Sequence, residues 1–327
     1  MLGTHQAQRT FRGWWVVLLR WFAALLILAA LFHFLPLRPL RAAIEQVPPW
    51  RLVAILSGYL LAHCLGIIKW RMIVNTAGAQ LSLADSAQCY TGGLFGTLFL
   101  PSIIGGDMIR LAVGLRRSPR PAAVLAGNVV DRLLDVSAQA ALVLLGLILL
   151  PSVLAPQFVA RKSLWLFGGS AAFGFLLLAF LLRRRLLEKR SIRVRKRLAR
   201  LRHALRSVSR RPQMLLLGWL MATTIQAVFL LLSAQLAADC GLQMPLRVWM
   251  FAWPLAKVAA LLPLTQGGIG VREAALVALL APFGAPGPIV LAAGVIWEGV
   301  VIAGGLLAGA VAFVLNRGQA RVAQPVR

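Results

Sequence analysis

Two stretches of this chain carry the same reactive residue types at the same offsets. Pro101-Ser-Ile-Ile-Gly-Gly-Asp-Met-Ile-Arg110 and Pro263-Leu-Thr-Gln-Gly-Gly-Ile-Gly-Val-Arg272 share the form P-x-x-x-G-G-x-x-x-R, and Glu273 follows the second. Glycine permits close backbone approach and positive φ. Arginine offers a planar fork that grips phosphate or carboxylate with two hydrogen bonds. Gly105 with Gly106, and Gly267 with Gly268, stand where a half-helix is expected to begin. Unpaired N–H groups and the positive end of the helix dipole would then face outward. With Arg110 or Arg272 beside it, each pair is expected to form an anion site. The bland alternative is that the glycines only let a tight hairpin pack. Gly267-Gly268-Ile-Gly270, with Gln266 before it, has the look of a dinucleotide loop, but no strand precedes it, so that chemistry is rejected.

Carboxylates gather around the same places. Of nine acids, five (Asp107, Asp131, Asp135, Glu273 and Glu298) lie in the two motifs or in the apolar segments just after them. An ionisable side chain at membrane depth costs at least ~2.5 kcal/mol and marks a functional site by default. Two uses are open: contacts to a ligand or a coupling proton, or buried acid–arginine pairs that hold the chain in shape. Asn128, Arg132, Asp135 and Gln139 follow one another at spacings of four, three and four, with Asp131 at the edge. On a helix that is one polar stripe, which must face the bundle interior or water. Lys257 and Gln226 add polar groups to the second half.

The elements that must position these residues are membrane helices. The chain of 327 residues is 60% hydrophobic and 13% charged, with a mean hydropathy of +0.80. Several continuous apolar runs reach the roughly 20 residues that cross a bilayer as helix. The expected fold is all-α: a polytopic integral membrane helical bundle of about 7–9 hydrophobic segments. Spans are expected at 14–35, 51–70, 87–104, 121–150, 163–182, 213–238, 246–264, 271–282 and 288–315. The net charge of +26 does not imply nucleic acid, because much of it sits in one loop. Residues 183–211 hold fourteen Arg or Lys against one acid, Glu188, which is a cytoplasmic orientation signal between spans. Arg9 and Arg12 put the N-terminus on the same side, and Arg317, Arg321 and Arg327 the C-terminus. Lys69 and Arg71 mark the inner end of span 51–70. Parity then forces segment 87–104 to begin and end inside, and segments 246–264 and 271–282 together to begin and end outside. Two re-entrant broken-helix hairpins entering from opposite faces are the expected result, as in inverted-topology repeats. The whole chain, 1–327, reads as a single domain. Repeat one covers about 51–150, the basic loop 183–212, and repeat two about 213–315. Histidines are scattered, and Cys64, Cys89 and Cys240 lack metal spacing, so neither a metal nor another cofactor is expected. No nucleophile elbow or phosphate-binding loop is present.

Three segments together carry a family resemblance: P-S-x-x-G-G-D-x-x-R at 101–110, V-V-D-R at 129–132, and Q-G-G-I-G-V-R-E at 266–273. They resemble the flippase-like transmembrane region of the lysylphosphatidylglycerol synthases, over about residues 14–315. In the bifunctional synthases this region is joined to a cytosolic aminoacyl-transferase domain, which this sequence does not contain. The resemblance therefore implies movement of a lipid headgroup between leaflets rather than lysyl transfer. Stand-alone members are linked to hopanoid and polyprenyl-phosphate–glycan pathways. The expectation is a non-enzymatic transporter of a phospholipid or polyprenyl-phosphate-type anionic lipid, in a bacterial inner membrane, with both termini cytoplasmic. The alternatives are an integral-membrane transferase acting on a lipid phosphate, and an anchor subunit for a lipid-synthesising enzyme partner.

Overall fold

The computed structural model describes residues 22, 37–100, 102–150, 192–260, 265 and 268–322. The expected span 163–182, all of 14–35 but Phe22, and the motif residues Gln266 and Gly267 lie outside these. Among the described residues there are ten α-helices and no strand. A short α1 (Leu37–Glu45) leads into the long α2 (Pro49–Thr76). Then come α3 (Leu83–Thr97), α4 (Ser102–Arg117) and the long α5 (Pro121–Leu149). Further along the chain come α6 (Ile192–Ser209), the long α7 (Pro212–Asp239), α8 (Leu246–Ala259), α9 (Val271–Leu280) and the long α10 (Gly287–Val322).

Local sequence explains the boundaries. Pro49, Pro121 and Pro212 each open a long helix, where the missing N–H has no partner to lose and φ is already helical. Ser82 caps α3 by accepting from the Asp85 amide at 3.0 Å. Asn75 closes the preceding turn by bonding both the N–H and the C=O of Leu81.

Among the described residues four helices, α2, α5, α7 and α10, are long and apolar enough to cross a membrane. Their outward faces are apolar, with Val53, Leu61, Ile68, Ile148, Leu216, Leu231, Phe313 and Val314 all exposed, the pattern of a bundle whose surroundings are lipid. The molecule is a membrane-spanning helical protein. The other pieces of each half are shorter. At 1.5 Å per residue α3 and α4 reach only about 22–24 Å, and α8 and α9 about 15–21 Å, against a ~30 Å hydrocarbon core. Each half thus reads long, short, short, long.

Packing follows the same plan. Helix α2 lies against α7, α3 against α10, and α8 against α5. Exchanging the four helices of one half for the four of the other leaves this set of contacts unchanged. The paired helices α2 and α7 run antiparallel: Gly58 faces Leu232, whereas Ile73 faces Gly218. Helices α3 and α10 are antiparallel too. Gly305 and Gly309 pack on Leu98 and Phe95, and Gln88 donates to Asn316 at 2.9 Å.

Two differences from expectation concern the connecting segments. The first hairpin turns at residues 98–100, and α4 has begun by Ser102, so Gly105 and Gly106 lie a turn inside a helix rather than at its start. The basic loop 183–212 is not all loop. Its C-terminal part forms α6, which docks on α5 and α7 through the buried Ala204, Leu205 and Val208.

Candidate functional site

The polar residues of both halves meet at one cavity of about 720 Å³. Asp107 and Arg110 reach it from α4, and Asn128, Arg132, Asp135 and Gln139 from α5. Gln226 comes from α7, Lys257 from α8, Arg272 from α9 and Glu298 from α10. The four-three-four stripe on α5 therefore faces the cavity as its spacing requires, and Asp131 lies behind it, fully buried.

On the first-half side, three cations and three acids form a closed network. Lys69 is almost fully buried and pairs with Asp131 at 2.9 Å and with Asp135. Arg110 reaches Asp107 at 3.0 Å and Asp131 at 3.5 Å. Arg132 bridges Asp107, Asp131 and Asp135 at 3.3, 3.2 and 3.1 Å. Asn128 Oδ1 accepts from Trp70 Nε1 at 3.1 Å and from Arg110 at 3.3 Å. The Arg110 guanidinium also lies over the Trp70 and Tyr90 rings, at 5.4 and 5.2 Å. Removing water from six charges is tolerable only because each has opposite charge within reach.

The second-half side is smaller. Arg272 donates to Glu273 Oε1 at 2.7 Å and to Glu298 Oε2 at 2.7 Å. The other Glu273 oxygen accepts the Gly270 N–H at 2.7 Å, at the start of α9. The positive end of this half-helix, read from sequence as a site for a ligand's anion, is already held by the protein's own carboxylate. Gly268 and Gly270 have φ of +84° and +82°, the left-handed turn that leads into α9. A Cβ at Gly268 would stand 2.7 Å from Ala260 Cβ.

Gly105 and Gly106 do something else. A Cβ at Gly106 would stand 2.5 Å from Gly93 O, and one at Gly93 would stand 2.9 Å from Gly106 O. One at Gly105 would strike the Leu100 side chain. The first glycine pair lets the two arms of the hairpin touch backbone to backbone, and it lies within α4 rather than at the helix start where the anion site was expected.

Several cavity residues were not singled out from sequence. Lys69 read as a charge at the inner end of a span. The aromatic wall of Tyr59, His63, Tyr90, Phe229, Trp253 and Trp297 carried no spacing signal. Tyr59 meets His63 edge-on at 4.4 Å, and Trp253 meets Trp297 at 5.2 Å. The mouth is apolar: Phe99, Met108 and Leu306 line the cavity and are themselves more than half exposed on the outer surface. The arrangement offers a charged floor, an aromatic wall and a greasy rim. Among the described residues no group of His, Cys, Asp and Glu is placed to hold a metal ion.

No curated protein and no solved structure gives a significant match to the chain. The family model described as "Lysylphosphatidylglycerol synthase TM region" matches residues 16–309.

Proposed function

The chain belongs to the lysylphosphatidylglycerol synthase transmembrane-region family, and from that premise we propose that it moves an anionic lipid between membrane leaflets. The observation that carries this reading is the cavity. A headgroup needs polar partners, and its tails need an apolar exit. Charged groups at the floor and exposed Phe99, Met108 and Leu306 at the rim supply both. A volume of about 720 Å³ is in the range of small-molecule sites, enough for a headgroup and not for whole acyl chains.

The two halves act as inverted repeats in this reading. The contact set that survives exchange of the halves and the antiparallel run of α2 against α7 support it. The hairpins α3–α4 and α8–α9 enter from opposite faces, with α6 and both termini on the cytoplasmic side of a bacterial inner membrane. The protein is a transporter and not an enzyme; a transferase acting on a lipid phosphate is the competing reading. The purified protein in vesicles, with fluorescent phosphatidylglycerol in one leaflet, tests both. Exchange faster than in protein-free vesicles, with the lipid chemically intact, supports transport. No acceleration overturns it, and a new lipid product favours the transferase.

A further inference from the structure

The charged residues of the cavity are not equivalent. Among the described residues the cavity has five cations, and four are engaged by carboxylates: Lys69 and Arg110 by two each, Arg132 by three, and Arg272 by two. Lys257 has no carboxylate within 4 Å among the described residues. Its Nζ donates to Gln226 Oε1 at 2.9 Å and lies 5.3 Å from the centre of the Phe229 ring. It sits in the last turn of α8, where the helix dipole offers a partial negative charge. An amide oxygen, a ring face and a helix end are together less than the full counter-charge that each of the other cations has. An ammonium carries three donors, and the amide takes one. On the same cavity wall, one helical turn before it, Trp253 Nε1 is buried with no hydrogen-bond partner among the described residues, and so is His63 Nε2.

We propose that Lys257, with Gln226 holding it and Trp253 Nε1 one helical turn before it, is the subsite that takes the phosphoester of the ligand. Arg110 and Arg272, for all their prominence in the repeated motif, are struts. Each ties the returning arm of a hairpin to the long helix after it, Arg110 to Asp131 on α5 and Arg272 to Glu298 on α10. A phosphate arriving at either arginine would have to displace carboxylates already in place. At Lys257 it would displace none. The proposal deepens the lipid reading above and rests on it for the source of the phosphate.

The test uses the full chain in detergent, with dihexanoylphosphatidylglycerol, dihexanoylglycerol and inorganic phosphate as probes. Calorimetry reads binding, and thermal unfolding of the ligand-free protein reads stability. The wild type should bind the phosphatidylglycerol and not the phosphate-free diglyceride. Lys257→Met should weaken that binding at least tenfold, the equivalent of about 1.4 kcal/mol. It should also raise the unfolding temperature, because an under-compensated buried charge is gone. Lys257→Arg should retain most of the binding, and Trp253→Phe should lose a smaller share. Lys257-dependent binding of inorganic phosphate, with none of the lipid, keeps the subsite and makes free phosphate its ligand. Lys257→Met binding as tightly as wild type overturns the proposal. So does a loss of binding and of thermal stability together in both Lys257→Met and Lys257→Arg. Vesicle exchange separates this from the transport reading. Lys257-dependent binding without exchange sinks transport and keeps the subsite, whereas undiminished exchange by Lys257→Met does the reverse.

Discussion

Asp131 is fully buried with three cations around it: Lys69 at 2.9 Å, Arg132 at 3.2 Å and Arg110 at 3.5 Å. Taking away that one carboxylate leaves the buried Lys69 and Arg110 each short of a partner where water reaches them poorly, while the more exposed Arg132 is partly solvated. Asp131→Ala should therefore cost roughly 3–5 kcal/mol, the range for breaking a buried pair from one side. Asp107→Ala, at a carboxylate partly open to the cavity, should cost distinctly less. Thermal unfolding in detergent gives the order, and equal losses would mean that the network does not centre on Asp131. Lys69→Met should destabilise on its own, but combined with Asp131→Asn the loss should fall well short of the sum, since the two remove opposite charges from one network. Much at this scale was legible beforehand. The offsets Asn128, Arg132, Asp135, Gln139 can only be one helix face, and that face is the cavity wall. Lys69 was not legible. It stands two residues before Arg71 near the end of an apolar run, where a lysine ordinarily reports orientation, and only the crossing of α2 with α5 turns it inward. Glu273 was marked as a site residue. Its capping of α9 is a main-chain contact that side-chain chemistry alone does not announce.

The twin motifs are alike in letters and unlike in shape. Gly105 and Gly106 are helical and serve close packing, whereas Gly268 and Gly270 take the left-handed conformation of a turn. Glycine is tolerant of both, so its presence could locate the hairpins and not say which use it would serve. Neighbouring glycines of α3 sharpen this into a measurement. A methyl at Gly92 meets nothing within 4 Å, while one at Gly106 meets the Gly93 carbonyl at 2.5 Å. Gly92→Ala should be neutral or stabilise by up to about 1 kcal/mol through helix propensity. Gly106→Ala should lower the unfolding temperature and slow lipid exchange, because the hairpin must splay to admit it. Equal behaviour of the two variants would remove close packing as the reason for the glycine pair.

Over the whole molecule, the charged flanks of the apolar segments, counted by parity, lead to the expectation of two hairpins between long helices. The halves differ in one offset: Asp131 follows Arg110 by 21 residues, and Glu298 follows Arg272 by 26. Most of the difference lies in the connections: residues 118–120 join α4 to α5, whereas the longer 281–286, with a short 3-10 turn, joins α9 to α10. Arg110 is midway along α4 and Arg272 near the start of α9, yet each pairs with the helix that follows. Sidedness can be read with single cysteines. The native thiols interfere little: Cys89 and Cys240 are buried, and burial with Asp239 nearby pushes the Cys240 thiol up to about 11. Cys64 lies within the apolar span α2. A membrane-impermeant maleimide added outside should label Gln243→Cys and spare Ala199→Cys on α6; the opposite pattern would invert the orientation proposed above. The balance of the cavity has an electrical consequence. Lys69, Arg110, Arg132, Lys257 and Arg272 stand against Asp107, Asp131, Asp135, Glu273 and Glu298, so the formal charges cancel. A displacement that carries the whole set together transfers no net charge across the membrane field. A passenger bearing one negative charge would feel about 2.3 kcal/mol per 100 mV on a full crossing. In vesicles held at a potassium diffusion potential, the voltage sensitivity of exchange then counts the charge of the passenger, unmixed with that of its carrier.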